Sequence, residues 1–394
     1  FRVRKFMKLF KSLLVAPATL GLLAPMTATA NEVTISDFTP AEQLAITNSR
    51  VDGLEARLNN IEAGSFSETT TASFSADMAI GAIDGQGLVI STTDGKEAVS
   101  VIYGFQIDLN TSFTGEDSLD ISIDAGNAIG DTLGELDLNG TSDQLTVDGV
   151  AYTFPLGDKT TVFVGDNMDG STLYSTACVY GGPSNTLDDC GNVNSALGGG
   201  SGTAAGASYD FGNGFTAAVG YTGDGSSTKG LLTKEGADAF GAQVTYTADS
   251  FGISTTYANI ETPTSTTDLT ALAGKDVSYW AINGYWTPSE TGTLPSISVG
   301  YEMGDPEEAG AADTTAFFVG VQWDEFGPGT LGAALGTTGH IADGATDYYM
   351  YEAFYSYPLN DGVTITPLVY LKEKGPSTSA LDETGIMVKT SFSF

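Results

Sequence analysis

The sequence predicts an all-β fold: a transmembrane antiparallel β-barrel of about 16 strands, preceded by a short N-terminal coiled-coil helix. Three observations predict this class. Polar and apolar residues alternate with a period of two along most of the chain, long and short connections follow each other in turn, and the last segment, 385–394, alternates up to a final phenylalanine. Outer-membrane barrels combine alternating strands, interfacial aromatic residues, long outer loops and short periplasmic turns.

The chain begins with the features of a secretory signal. In residues 1–30, a basic stretch is followed by the apolar run 13–23 and an Ala-x-Ala site at 28–30, so we expect cleavage before Asn31. The apolar run is too short to span a membrane as a helix. Residues 1–6 precede the first methionine and are interpreted as an upstream extension of the signal.

The charge balance bears on possible partners. The formal net charge is −34, and removing the signal, which contains five basic residues and no acidic one, leaves 10 basic and 49 acidic residues, a net charge of −39. Nucleic acid is therefore not an expected partner, because its recognition needs basic surface. A well-solvated surface accounts for part of the acidity.

Residues 31–65 combine a polar leader with a short heptad helix. Apolar residues within 40–63 recur at three- and four-residue spacing. They are Leu44, Val51, Leu54, Leu58 and Ile61. A helix of about three heptads is marginal alone, so we expect it to be stabilised by self-association in a trimer. The alternatives are a lone amphipathic helix and a plug packed on the barrel.

From residue 66 to residue 394 the helical period is absent, and alternating segments bounded by Gly, Asp, Asn, Ser or Pro predict the barrel domain. The sixteen predicted strands are 70–83, 97–110, 117–125, 145–156, 160–166, 204–211, 215–223, 239–248, 251–259, 276–287, 296–304, 314–324, 330–337, 346–358, 363–373 and 384–394. Their connections are alternately long and mostly short, which a β-sandwich or propeller has no reason to maintain. We expect the last strand to close against the first.

One face of each predicted strand is apolar or aromatic, as contact with lipid requires. The other face is polar and mostly acidic, and a sixteen-stranded barrel is wide enough to hold water. The candidate pore-lining residues are Asp77, Asp108, Asp120, Asp124, Asp210, Glu302, Glu352, Lys372 and Lys389. An acid-rich lumen attracts cations, so we expect a mild cation preference. The alternative is that several of these acids are paired or lie at the rims.

The longest connection, 167–203, follows the fifth strand and contains both cysteines of the chain. Cys178 and Cys190 are twelve residues apart, and in an exported protein the simplest expectation is a disulfide within this loop. Its acidic candidates for the constriction are Asp169, Asp188 and Asp189. No histidine lies near the two cysteines, so a zinc site is not expected.

Enzyme chemistry is not indicated. His340 is the only histidine, so neither a histidine metal cluster nor a histidine-based triad can be assembled. The glycine-rich segment 198–202 lacks the Lys-Ser/Thr sequel of a phosphate-binding loop. The cluster 166–170 could hold calcium weakly, although turn residues need no ion. We therefore predict no enzyme activity, no cofactor and no metal site.

Five segments carry a resemblance to a known family. They are MKLFKSLLVAPATLGLLAP at 7–25, SRVDGLEARLNNIEA at 49–63, TSFTGED at 111–117, YTFPLGDKTTVFVGD at 152–166 and YEAFYSYPLNDGVTITPLVYLKE at 351–373. Together they resemble the cyanobacterial outer-membrane porins described as iron-uptake porins and grouped with OprB-type carbohydrate-selective porins. The resemblance implies a sixteen-stranded trimer whose third outer loop, here 167–203, folds inward as a constriction. It also implies passage of small solutes and inorganic ions, including iron.

Two departures from the family limit what the resemblance implies. Family members usually carry an S-layer-homology domain between the signal and the heptad helix, whereas only about ten residues, 31–40, stand there in this chain. Tethering to the cell wall is therefore not carried over. The basic segment of the third loop is replaced by SALGGGSGTAAG at 195–206, so anion or sugar binding there is not carried over either.

We therefore expect an outer-membrane porin that passes small hydrophilic solutes and inorganic ions, with outer-membrane lipid and copies of itself in a homotrimer as partners. Phe392 and Phe394 are the expected membrane anchors at the interfacial girdle. The alternative is a structural or adhesive barrel, plugged by its loops and the heptad helix, that organises the cell surface.

Overall fold

The computed structural model describes residues 69–85, 99–128, 133–193, 201–233, 236–261, 276–290, 292–307, 310–374 and 382–394. The expected signal peptide and heptad helix lie outside these ranges. Within them, no helix combines the length and the apolar character needed to cross a membrane.

The described residues form one antiparallel sheet, which consists of sixteen long strands and one strand of only two residues. The strands are β1 (Thr70–Asp84), β2 (Ser100–Thr111), β3 (Ser118–Gly126), β4 (Thr146–Pro155), β5 (Thr160–Met168), β6 (Gly202–Gly212), β7 (Phe215–Gly223), β8 (Asp238–Thr247), β9 (Phe251–Glu261), β10 (Asp276–Trp286), β11 (Ser296–Pro306), β12 (Thr314–Phe326), β13 (Gly329–Thr337), β14 (Ile341–Ala342), β15 (Tyr349–Asn360), β16 (Val363–Lys372) and β17 (Glu383–Ser393). The long strands follow the predicted segments to within three residues. The short strand β14 was not predicted, because two residues are too few to show alternation.

The barrel closes between its first and last strands. β1 pairs with β2 on one side and with β17 on the other, from Ser75 opposite Ser393 to Asp84 opposite Thr384. At the short-turn end, the backbone N–H groups of Phe74 and Phe394 each donate to the carbonyl of the other residue at 3.0 and 3.1 Å. Their rings stack at 5.8 Å between centroids. The predicted closed barrel of sixteen long strands is confirmed.

The two faces of the wall differ as a membrane barrel requires. Ile80 and Ile282 on the outer face are 49% and 57% exposed, and the outward residues beside them are also apolar or aromatic. Burial of such a belt in lipid is favourable, whereas its exposure to water is not. The inner face carries Gln243, Asn283 and Thr256 among its buried polar residues.

Inward aromatic rings cover glycines on the neighbouring strands. Three cross-strand pairs show this packing: Phe163 with Gly206, Phe354 with Gly332, and Tyr370 with Gly385. A Cβ atom added to any of the three glycines would lie 2.1 to 2.6 Å from the ring of its partner. Aromatic rings laid over glycines in this way fix the register of neighbouring strands.

The turn between β2 and β3 is organised by Asp117. Its carboxylate accepts hydrogen bonds from the backbone N–H groups of Phe113 (2.9 Å) and Thr114 (2.7 Å) and from the hydroxyl of Tyr152 on β4 (2.7 Å). The bond from the Thr114 backbone, followed by the one from Tyr152, holds the pKa of Asp117 well below its usual range. This conformation explains the polar composition of the turn TSFTGED.

Candidate pore and its inward loop

The connection after β5, residues 169–193, lies inside the barrel and is called the inward loop here. Alternate backbone N–H groups of this loop donate to side chains on the inner wall. The four bonds join Ser175 to Gln243 Oε1 (2.7 Å), Ala177 to Ser254 Oγ (2.9 Å), Val179 to Ser298 Oγ (3.0 Å) and Gly181 to Gln322 Oε1 (3.0 Å). The acceptors stand on β8, β9, β11 and β12. The loop therefore runs across the inner face of the wall as an extended segment. Every second residue of this segment is hydrogen-bonded to a side chain of the wall.

Two further features hold the inward loop in its fold. At its start, Gly170 N–H donates to Thr222 Oγ1 on β7 at 2.6 Å. Further along, Cys178 and Cys190 form a disulfide with their Cα atoms 6.0 Å apart. The short 3-10 helix Asp188–Val193 packs against β10 to β13. The loop thus turns back on itself inside the barrel.

Tyr180 anchors the loop to the inner face of β15. Its hydroxyl donates a 2.6 Å hydrogen bond to Glu352 Oε1 on β15. Its ring packs against Phe318 and Phe354, with centroids 5.3 and 6.0 Å away. Leu187 of the same loop is fully buried in this cluster. The hydrogen bond between Tyr180 and Glu352 is therefore surrounded by apolar side chains.

The β3–β4 connection also enters the interior, through its described residues 133–145. Leu133 and Leu136 are buried in the same apolar cluster as the inward loop. Glu135 forms an ion pair with Lys372 on β16, and its second oxygen accepts from the Thr186 backbone N–H at 3.2 Å. Lys372 also donates to Thr186 Oγ1 at 2.8 Å. One lysine therefore joins two loops to the wall.

The wall across from the inward loop carries carboxylates. β3 is eight long strands from β11 around the sheet, so the two strands lie on opposite sides of the barrel. Asp108 on β2 accepts from Ser122 Oγ at 2.7 Å, Asp120 accepts from Asn110 Nδ2 at 2.6 Å, and Asp124 accepts from the Thr146 hydroxyl. These predicted residues share one face of neighbouring strands, which gives this side of the interior a negative charge.

The other predicted lining residues fall into two groups. Asp77, Asp210 and Lys389 share the inner face with the carboxylates on β2 and β3, as the strand pairing shows. Glu302 and Glu352 also face inward, but they are only 0% and 4% exposed. The loops cover both carboxylates, and Lys372 is engaged in an ion pair. These three side chains therefore do not line an open lumen.

The three predicted acids of the constriction lie at two separate places. Asp169 stands at the start of the inward loop, where its carboxylate accepts from the Ser171 backbone N–H at 2.9 Å. Asp188 and Asp189 begin the 3-10 helix near β12. Burial, followed by the charge of Asp189, raises the pKa of Asp188 to about 7. The structure does not gather the three side chains into one ring.

His340 ties the β13–β15 connection to the inner wall. Its Nε2 lies 2.6 Å from Glu302 Oε1, its Nδ1 lies 2.9 Å from Thr314 Oγ1, and its ring meets Tyr279 edge to face at 5.1 Å between centroids. The imidazole thereby meets the buried carboxylate of Glu302. The sequence placed His340 in a loop and gave no signal for this partner, which stands 38 residues away.

Sequence reasoning missed several residues that shape the interior. Glu135 and Tyr180 sit in loops without periodicity, so no pattern pointed to them. Asp148 lies on β4 close enough to Asp108 and Asp124 to feel their charge, yet a register shift between Ser122 and Ile123 breaks the alternation there. Ser254 and Ser298, which accept hydrogen bonds from the inward loop, are strand residues that face the interior. The alternation of the strands predicts that they face inward, but it does not show which loop residues donate to them.

In the described part of the chain, no three histidine, cysteine, aspartate or glutamate side chains come together in an arrangement that could hold a metal ion.

Comparisons with known proteins place the fold. No protein-family model matches the sequence, and no curated protein matches it. The structure is similar to that of OprB from Pseudomonas putida, with a TM-score of 0.58 and 11% identity over 83% of this chain and 94% of that one. It is also similar to a loop-deletion mutant of OmpT, an outer membrane protein of Vibrio cholerae, with a TM-score of 0.52 and 13% identity over 83% of this chain and 100% of that one.

A mutant of the porin from Rhodobacter blastica gives a TM-score of 0.50 and 15% identity over 82% of this chain and 100% of that one. At such low identities the likeness shows a shared fold, the porin barrel, and nothing finer.

Proposed function

We propose that this chain is a porin of the outer membrane, a passive diffusion channel for small hydrophilic solutes and inorganic ions. The observation that carries the proposal is the division of the barrel interior. The inward loop is bonded along β7 to β12 and to β15, while the inward carboxylates of β2 and β3 stand on the opposite wall. A wide barrel with a polar wall and a loop held to one side is suited to size-limited diffusion.

A mild cation preference is the second part of the proposal. Asp77, Asp108, Asp120, Asp124 and Asp210 share the inner face, and few bases stand among them in the described strands. Such a wall concentrates cations and repels anions within about 8 Å at physiological ionic strength. We propose that the chain is related to the cyanobacterial iron-uptake porins and that iron is one of the transported ions. The resemblance of the five sequence segments supports both proposals.

A homotrimer is the third part of the proposal. Among the described strands, β16, β17 and β1 form the longest run of neighbours without an outward tyrosine or tryptophan. Ile80, Val369 and Ile386 are exposed there instead. Interfacial Tyr and Trp mark lipid contact in barrels, so their absence favours contact with another copy of the chain. Light scattering in detergent measures the mass and tests this arrangement.

Reconstitution into planar bilayers tests the channel. The purified mature chain is expected to give stepwise increases in conductance, because each inserted barrel would add one water-filled path across the bilayer. Swelling of liposomes in small sugars should accompany them and should decline as the sugar becomes larger. Protein that inserts as a folded barrel but gives neither conductance nor swelling would refute the proposal.

A plugged structural barrel is the second candidate, and one observation favours it. Leu133, Leu136, Leu187 and Tyr180 from the two loops pack with wall residues into an apolar cluster that fills one sector of the interior. If the rest is also filled, by residues 31–63 for example, the chain would organise the cell surface without conducting. Conductance that emerges only after deletion of residues 31–63 would establish this second function.

A further inference from the structure

A groove lies on the outer face of the barrel, where β10, β11 and β12 reach the end that carries the long loops. The β13–β15 connection forms its other side, because β14 pairs with the start of β12 and places Ile341 opposite Thr315. The groove has a volume of about 480 Å³, within the range of roughly 300 to 1,000 Å³ that small-molecule sites span. Since it lies on the outside of the wall, it is separate from the pore.

The floor of the groove is apolar. Trp280 on β10 stands opposite Met303 on β11, Met303 stands opposite Thr315 on β12, and Ile341 follows in the same row. Trp280 and Met303 are 54% and 49% exposed, and the Trp280 ring packs against Tyr257 with the centroids 4.9 Å apart. Outward tryptophan residues of a barrel mark the interface between lipid and water. This row therefore lies at the edge of the lipid.

A row of carboxylates borders the floor on the side of the long loops. Asp305 is two residues beyond Met303 on the same face of β11, and the Asp343 N–H donates to the Asp313 carbonyl at 2.7 Å. Together with Asp347, these exposed residues give the groove four aspartates, and none of its described lining residues is basic. No ion pair between described residues involves them. The lining thus changes from apolar to negative over two residues of a strand, about 7 Å.

We propose that the groove binds an amphiphile of the membrane, whose alkyl chain lies on Trp280 and Met303 and whose protonated amine head meets the aspartates. Charge complementarity selects the head, because the carboxylates attract a cation and repel a phosphate or sulfate. A protonated amine has three N–H donors and no acceptor, which suits carboxylates and the hydroxyl groups of Ser278 and Thr315. The chain covers apolar surface beside the polar headgroups, which is favourable. The outward tryptophan favours a lipid-like occupant over a second copy of the protein.

Quenching of tryptophan fluorescence tests the site. The chain has three tryptophans, of which Trp280 is near the long-loop end, whereas Trp286 and Trp323 are near the short turns. Trp286→Phe with Trp323→Phe leaves Trp280 as the only reporter. The full mature protein in neutral detergent is titrated with three amphiphiles that share one brominated alkyl chain and carry an amine, a sulfate or a glucoside head. Half of the quenching should need about tenfold less amine than glucoside, and added salt should reduce this preference.

Two variants in the same background separate the groove from other acidic surface. Asp305→Asn with Asp313→Asn keeps the size of the side chains but removes two charges, so the amine should lose most of its advantage over the glucoside. Asp143→Asn is the matched control, since Asp143 is an acid of the long-loop end that meets Tyr103 on β2, outside the groove. Heat-dependent migration in gels checks that each barrel is folded. If the double variant does not fold, Asp305→Asn alone decides.

A chain with Trp286 as its only tryptophan measures the general attraction of an acidic barrel for the amine. The preference for the amine should be clearly larger at Trp280. Equal quenching of Trp280 by the three amphiphiles, an equal preference at Trp286, or an equal loss in Asp143→Asn would overturn the site. Stronger quenching by the glucoside would overturn the amine head. Quenching is measured without conduction, so amphiphile binding and the channel proposal can fail separately.

Discussion

Tyr180 and Glu352 are 172 residues apart in sequence, yet the tyrosine hydroxyl donates a 2.6 Å hydrogen bond to the buried carboxylate. The bond joins the inward loop to β15 in the middle of an apolar cluster. Because Glu352 is only 4% exposed, little water is available to replace this partner. Docking of the loop and burial of the acid therefore depend on each other.

Tyr180→Phe should loosen the inward loop without opening the barrel. Loss of the hydroxyl leaves the buried carboxylate with one partner fewer, an effect of about 1–3 kcal/mol. Chymotrypsin cleaves after either aromatic residue, so its rate of cleavage at this site reports how often the loop opens. We expect cleavage to be about 5 to 150 times faster. Tyr301→Phe, on the outer face, serves as control, and an unchanged rate at position 180 would contradict the docking role.

Ser298→Ala should remove one of the hydrogen bonds that hold the inward loop to the wall. Ser298 Oγ accepts from the Val179 N–H at 3.0 Å, and its loss leaves that N–H unpaired at a cost of about 1–3 kcal/mol. In single-channel recordings we expect more frequent conductance fluctuations, because the loop leaves the wall more often. Ser296→Ala changes the same residue type on the same face of β11 and should leave the recordings unchanged. Equal noise in both variants would rule out a special role for Ser298.

Gly385→Ala should destabilise the barrel near its seam. The added Cβ would lie 2.1 Å from Tyr370 Cε1, and overpacking of this kind costs about 1–3 kcal/mol. The temperature at which the folded band is lost in gels should fall. Tyr370→Leu in the same chain should restore part of the loss by making room. Gly339→Ala, with no atom within 4 Å of the added Cβ, should have little effect, and a similar loss there would argue against a steric cause.

Much of the fold was predictable from the sequence, because an alternating strand shows its two faces in the order of its own residues. The sixteen long strands and the closure of β17 on β1 were predicted in this way. The path of the inward loop was not, since its backbone N–H groups bond to Gln243, Ser254, Ser298 and Gln322, which no local pattern connects to it. The same limit hid the burial of Glu302 and Glu352, which depends on the loops above them.

Docking of the inward loop should weaken as pH rises from about 4 to about 7. Burial and Asp189 raise the pKa of Asp188 to about 7, whereas an aspartate in an unfolded chain titrates near about 3.9. Between these values the docked loop holds a proton that the released loop does not, so stability is full below the lower value and is lost as pH approaches 7. The groups facing Asp188 are Glu135, Asp137, Asp189 and Glu352, with Lys372 beside them.

Proteolysis of the loop, normalised to the heat-denatured chain at each pH, measures this dependence. Cleavage should accelerate between pH 5 and pH 7 in the native sequence and change less steeply with pH in Asp188→Asn. A flat profile in the native sequence, or an unchanged slope in the variant, would assign the pH dependence elsewhere.

The reversal potential of the purified chain in a planar bilayer, with concentrated potassium chloride on one side and dilute on the other, tests the central claim most directly. The acidic wall of β2 and β3 should let potassium pass ahead of chloride, so the dilute side should become positive, and Asp108→Asn with Asp124→Asn should reduce that potential. A dilute side that becomes negative, or a folded barrel that conducts no ions, would contradict the account.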